Sequence, residues 1–211
     1  MISNLKLKIA SLALGLGFFS SALAFELPNQ FVVREKFFAI GNDFEIYSSD
    51  EKKFAGKIVQ KILNWTTTFE LLDEKGVLVA KAKSRFWALG STIDVTDDKD
   101  VKIGTVKEDI LKSLWKITTT YSILNAKDQV VGTSEKLDLF STKIDVKDSK
   151  GQVVFQTKRP WINLVTDKWE TSYSGTTLDP RLLVFIPAYK TAADNYRHAQ
   201  ENARSRDRNP R

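Results

Sequence analysis

The chain of 211 residues contains no cysteine and a single histidine, His198. The first absence excludes disulfides, thiolate metal sites and cysteine nucleophiles. The second excludes multi-histidine metal sites and leaves one imidazole as a possible base. The motifs G-x-S-x-G, G-x-G-x-x-G and H-E-x-x-H are missing, as is a P-loop, so the common signatures of hydrolase, nucleotide and zinc-protease chemistry are lacking. No cofactor is implied. At 42% hydrophobic and 27% charged residues the chain is too apolar to stay disordered and long enough to bury one core.

The amino terminus reads as an export signal. Lys6 and Lys8 precede an apolar run from Ile9 to Phe19, which leads to Ala22-Leu23-Ala24. That order, with an A-x-A end, predicts a secretory leader over residues 1–24, cut between Ala24 and Phe25. The run is short of the ~20 residues of a bilayer-spanning helix, which disfavours an anchor. The expected mature chain, residues 25–211, is periplasmic or extracellular. Removal of Lys6 and Lys8 lowers the formal charge of +6 by two.

Five stretches of the mature chain align without gaps, starting at Phe44, Phe69, Ile93, Tyr121 and Ile144, at spacings of 25, 24, 28 and 23 residues. Each alternates apolar and polar residues, crosses a cluster of Asp, Asn, Lys, Ser or Gly, and alternates again. Period-two alternation on both sides of a polar turn predicts a β-hairpin with one buried face. Gly76 and Gly151 fall where such a turn needs positive φ. An aromatic residue stands in the connections between hairpins (Phe38, Trp65, Trp87, Trp115, Phe140 and Trp161), and its recurrence favours corner packing over a ligand surface. About twelve antiparallel strands between Phe31 and Ser174 predict a closed barrel, which leaves no exposed edge.

Asp179-Pro180 opens a helix, with a capping carboxylate followed by proline at the first helical position. Leu182 to Ile186 are apolar on every side, which predicts burial on every side, inside the barrel. Pro187 predicts a kink or break. A second helical piece, about Ala188 to Ala203, turns progressively polar. The central helix is placed at about residues 180–198 of a barrel domain spanning 25–198, with a basic polar tail over 199–211.

Repeated hairpins followed by a late apolar helix resemble the LURP-one-related family, within the tubby-like group that includes the phospholipid scramblases. The likeness covers about residues 31–197, and its best segments are Lys36-FFAIGNDFEIYSSD, Ile144-DVKDSKGQVVFQTKR and Leu182-LVFIPAYKTAAD. It implies a twelve-stranded barrel around a central hydrophobic helix, and an association with phospholipid or phosphoinositide. The leader peptide and Pro187 depart from the family pattern.

Candidate chemistry is sparse. His198 lies among Arg197, Gln200 and Glu201 and reads as a surface residue. Asp94, Asp97, Asp98 and Asp100 form the densest acidic cluster, a turn that could hold calcium. Lys99 and Lys102 intrude on it, and the equivalent positions of the other repeats are plain turns. Asn64-Trp65-Thr66 is a glycosylation sequon. The concentrated cations are Arg197, Arg204, Arg206, Arg208 and Arg211, which could contact anionic phospholipid or another envelope component. Nucleic acid is not expected as a partner of an exported chain without a reader motif. The leading expectation is therefore an exported, non-enzymatic binding or structural protein. A lipocalin-like carrier of a small apolar ligand, and a hydrolase using Asp94 and Asp98, stand as alternatives. An outer-membrane barrel fits poorly, because charge alternates along the strands near Asp94 and Lys147.

Overall fold

A computed structural model describes residues 25–36, 43–63, 66–87, 90–112, 117–138, 140–160, 168–174 and 178–208. The strands are β1 (Gln30–Lys36), β2 (Asp43–Ser48), β3 (Phe54–Leu63), β4 (Thr66–Asp73), β5 (Leu78–Trp87), β6 (Gly90–Asp97) and β7 (Lys102–Lys112). They continue as β8 (Ile117–Asn125), β9 (Val130–Ser134), β10 (Leu137–Asp138), β11 (Lys143–Lys147), β12 (Val153–Lys158) and β13 (Lys168–Tyr173). Two helices follow, α1 (Pro180–Leu183) and α2 (Phe185–Arg208). Strands β1 to β9 pair in sequence, β1 also pairs with β13, and the order runs on through β12 and β11 back to β9. This ring is a closed antiparallel barrel of twelve strands, and the short β10 lies outside it against β8.

The repeats write the inner wall. Their first residues, Phe44, Phe69, Ile93, Tyr121 and Ile144, are fully buried, as are the residues two places on: Ile46, Leu71, Val95, Ile123 and Val146. Alternation turns these side chains inward and the intervening Glu, Asp and Ser outward. A barrel this wide exceeds what inward side chains can fill alone. The rest of the space is taken by the helical segment, whose Leu182 to Ile186 are all buried with the strand residues in one core. Each such large apolar side chain contributes about 1.5–3 kcal/mol on burial.

The repeated turns share one geometry. The amides of Glu51, Gly76, Asp100, Asp128 and Gly151 donate to the carbonyls of Ser48, Asp73, Asp97, Asn125 and Asp148, three residues earlier. All five donors have positive φ, from 57° to 82°. The two glycines adopt it at little cost; the three acidic residues do so under strain. Each of those three is held by a lysine from another strand: Glu51 by Lys168, Asp100 by Lys81 and Asp128 by Lys102.

The helix starts as the sequence predicts. Asp179 Oδ1 accepts from the Arg181 amide at 2.9 Å, and Pro180 occupies the first turn. The interruption falls at Val184, between α1 and α2, one turn before Pro187. The proline ring crowds the carbonyl four residues back, at Leu183, and offers it no N–H. Beyond Pro187 the structure differs from expectation in two respects. Ala188 to Asp194 are all buried, polar side chains included, and the helix continues to Arg208 instead of ending near Ala203.

The corner aromatics need a correction. Phe38, Trp65, Trp115 and Trp161 lie outside the described residues, and Trp87 closes β5. Phe140, expected in the core, is 37% exposed. Its ring stacks on His198 at 4.7 Å between centroids. The corner runs outside the wall, so its ring shields the emerging helix, while core aromatics such as Phe155 and Trp169 sit on the strands themselves.

Candidate functional site

The helix begins beside the tight turns. Leu182 approaches Gly104, only three residues past the Asp97–Val101 turn, so closely that a Cβ there would stand 3.0 Å from Cδ2 of Leu182. It leaves through the opposite end, where the barrel wall turns polar. Ser84, Ser91, Glu108, Thr119, Ser134, Thr157 and Thr171 are all buried. Glu108 points inward because it shares the parity of Gly104 and Val106 along β7. Its cross-strand partners are Ser91 on β6 and Tyr121 on β8, which puts the three side chains in one row on the inner face.

Glu108 is saturated with donors. Oε1 accepts from Tyr121 Oη at 2.9 Å and Thr119 Oγ1 at 3.3 Å. Oε2 accepts from Ser91 Oγ at 2.8 Å, Tyr189 Oη at 3.3 Å and Arg197 Nη2 at 2.5 Å. On the helix, Lys190, Asp194 and Arg197 stand at i, i+4 and i+7 and so share a face. Asp194 Oδ1 accepts from Lys190 at 2.5 Å and Arg197 Nη1 at 3.4 Å, and Oδ2 from Arg159 Nη2 at 2.8 Å. The Arg159 guanidinium lies 4.8 Å from the ring centre of Trp169, whose Nε1 donates to Thr191 Oγ1 at 2.9 Å.

Burial opposes the charge on Glu108, yet the adjacent Arg197 cation and the hydrogen bonds from Ser91, Arg197 and Tyr121 outweigh it and hold the carboxyl below its ordinary range. Burial and the Glu108 charge push the Tyr121 and Tyr189 phenols well above theirs, so both remain neutral donors. Burial lowers Lys190, against the pull of Asp194. With both carboxylates enclosed by donors, the cluster has the character of a lock between helix and wall. A reactive base needs an open lone pair and a substrate approach.

The acidic residues singled out in the sequence lie in one hairpin and have separate partners. Asp94 faces outward on β6 and accepts from Thr105 Oγ1 at 3.0 Å. Asp97 Oδ1 is turned into its own loop by the amides of Lys99 and Val101. Asp98 is an exposed turn residue, and Asp100 pairs with Lys81. Among the described residues no three His, Asp or Glu side chains are grouped to hold a metal. His198 is 58% exposed and faces Glu201 at 3.8 Å.

The basic residues separate into two groups. Arg197, counted with the tail, is only 17% exposed and belongs to the lock through Glu108. Arg204 is exposed on α2, Arg206 and Arg208 lie in its last turn, and Arg211 is outside the described residues. Sequence reading missed Glu108, Lys190 and Asp194. Two signals were present: a carboxylate at an inward position of an alternating strand, and charged residues at helical spacing directly after an apolar helix.

At the expected new amino terminus, Leu27 is buried and its carbonyl accepts from Tyr173 Oη at 2.9 Å. A shallow cleft of about 550 Å³ opens there, between Phe25–Pro28 and the turns that hold Lys53 and Glu74. No described helix is long and apolar enough to cross a membrane.

No family model matches the chain, and no curated protein matches it. Among solved structures it is similar to the X-ray structure of a protein from Arabidopsis thaliana. The two are 15% identical over 82% of this chain and 94% of that one, with a TM-score of 0.49.

Proposed function

We propose that this chain is an exported, non-catalytic barrel of the LURP-one-related kind that binds or supports a component of the cell envelope, with anionic phospholipid as its target. The observation that carries this reading is the filled interior. Helix residues from Leu182 to Asp194 occupy the lumen, and the carboxylates among them and opposite them are consumed by internal hydrogen bonds. That arrangement turns the working surface outward. It also fills the space a lipocalin-like cargo needs, and the engagement of Asp94 by Thr105 weighs against a hydrolase that uses Asp94 and Asp98.

Export is supported by the leader pattern and by the way Leu27 seats immediately after the expected cut between Ala24 and Phe25. Anionic lipid is favoured by the arginines at the end of α2, each basic contact contributing about 1 kcal/mol near a charged surface. Flotation of residues 25–211 with phosphatidylglycerol-containing vesicles at low salt tests the reading. Co-flotation that fades as salt is raised is expected, and protein left at the bottom of the gradient overturns the lipid target.

A further inference from the structure

The helix-exit end carries the larger exposed apolar side chains of the barrel. Leu111, Ile117, Phe140 and Tyr196 are 57%, 41%, 37% and 51% exposed. The exposed valines Val77, Val101, Val130 and Val153 lie instead at or just after the tight turns of the other end. Leu111 is paired with Thr118, and Thr118 with Asp138 on β10, which puts Leu111, Ile117 and the segment before Phe140 at one rim of the barrel. Phe140 stacks on His198, two residues along the helix from Tyr196.

From this rim α2 leaves the barrel. Except for Arg197, its described side chains from Asn195 to Arg204 are exposed. The stretch from Asn195 to Arg208 is about 21 Å long at helical rise. It is polar all round and ends in three arginines, Arg204, Arg206 and Arg208, against Glu201 and Asp207. A helix of this kind is not built to bury a face in protein. Large apolar and aromatic side chains next to guanidinium groups are what the boundary of an anionic bilayer accepts: rings at headgroup depth, arginines on phosphate. Among the described residues the exterior of the strands pairs its lysines with carboxylates, as in the Lys61–Glu70 and Lys143–Asp145 pairs.

Resting on the lipid reading above, we infer that the helix-exit end is the docking surface, with Phe140, Tyr196, Leu111 and Ile117 at headgroup depth and Arg204, Arg206 and Arg208 on lipid phosphate. A rod and one rim patch touch a common plane when the barrel axis tilts toward it, so the barrel lies canted on the bilayer with its tight turns in water.

The absence of cysteine allows a site-specific test. Mature chains carrying Ala199→Cys or Val101→Cys, each labelled with a polarity-sensitive fluorophore, are titrated with vesicles of phosphatidylglycerol and phosphatidylcholine. A blue shift at position 199 and none at 101 is expected. Phe140→Ser with Tyr196→Ser should weaken vesicle binding roughly tenfold, as two partly buried rings imply. Arg204→Gln with Arg206→Gln and Arg208→Gln should weaken it at least as much and flatten its salt dependence, with unchanged circular dichroism in both cases. If the wild-type chain binds but the shift occurs at 101, or if either set of variants binds like wild type, this docking surface is wrong while the lipid reading stands. If the wild-type chain ignores anionic vesicles, both fall. A shift at 199 that grows with protein concentration and needs no vesicles assigns the patch to a second copy of the chain and overturns the inference.

Discussion

Glu108 shows how much one inward carboxylate can require. It is buried with five donors around it, and removing it leaves the Arg197 cation only its longer contact with Asp194 at 3.4 Å. Glu108→Ala is expected to cost about 3–5 kcal/mol in urea unfolding, the range for breaking a buried ion pair. The pH dependence has a definite sign. Its folded pKa is depressed, so its contribution is complete above about pH 4.3 and is lost as pH falls through the folded value. The stability gap between wild type and Glu108→Gln should therefore be constant near neutrality and close on acidification below that point. Ser84 is the opposite case: its hydroxyl is buried without a hydrogen-bond partner among the described residues. Ser84→Ala should leave the urea midpoint unchanged or raise stability by about 1 kcal/mol.

At the scale of elements, the five turns and the helix–wall approach are the places where sequence and geometry press hardest on each other. Asp128 holds a positive φ that glycine adopts freely, and its compensation is a partly exposed pair with Lys102. Such a pair contributes less than the strain it offsets, so Asp128→Gly should raise thermal stability by about 0.5–1 kcal/mol. Gly104 is fixed by packing instead. A Cβ there would stand 2.4 Å from the Leu124 carbonyl oxygen and 3.0 Å from Leu182. Gly104→Ala is expected to destabilise by about 1–3 kcal/mol, measured by chemical unfolding, as the barrel and the first helical turn are forced apart.

These elements also mark the limits of sequence reading. The hairpins were legible because alternation and turn chemistry are local, and five copies reinforce one another. The N-cap at Asp179 and the interruption before Pro187 were legible for the same reason. The lock was not, because Glu108 and Arg197 are 89 residues apart and meet only when the barrel closes. Read locally, Arg197 belongs with the arginines that follow it. Phe140 misled in the other direction, since recurrence at corners says nothing about whether a corner lies inside or outside the wall.

For the whole molecule, the barrel and its filling are one cooperative unit. Removing residues 204–211 should leave the unfolding free energy within about 0.5 kcal/mol of wild type, because Arg204 is exposed and the lock ends at Arg197. Ending the chain before Leu182 should abolish cooperative unfolding by calorimetry, since Phe44, Phe69 and Ile58 would face an empty lumen. The two truncations together separate the surface role of the helix end from the structural role of its start.

The piece that completes the core is synthesised after every strand that surrounds it. A nascent chain therefore cannot commit to its final shape while its last residues are still in the ribosome. A product lacking those residues is left hollow and greasy inside, which marks it for proteolysis. Completeness of synthesis is thereby proofread by the order of the elements.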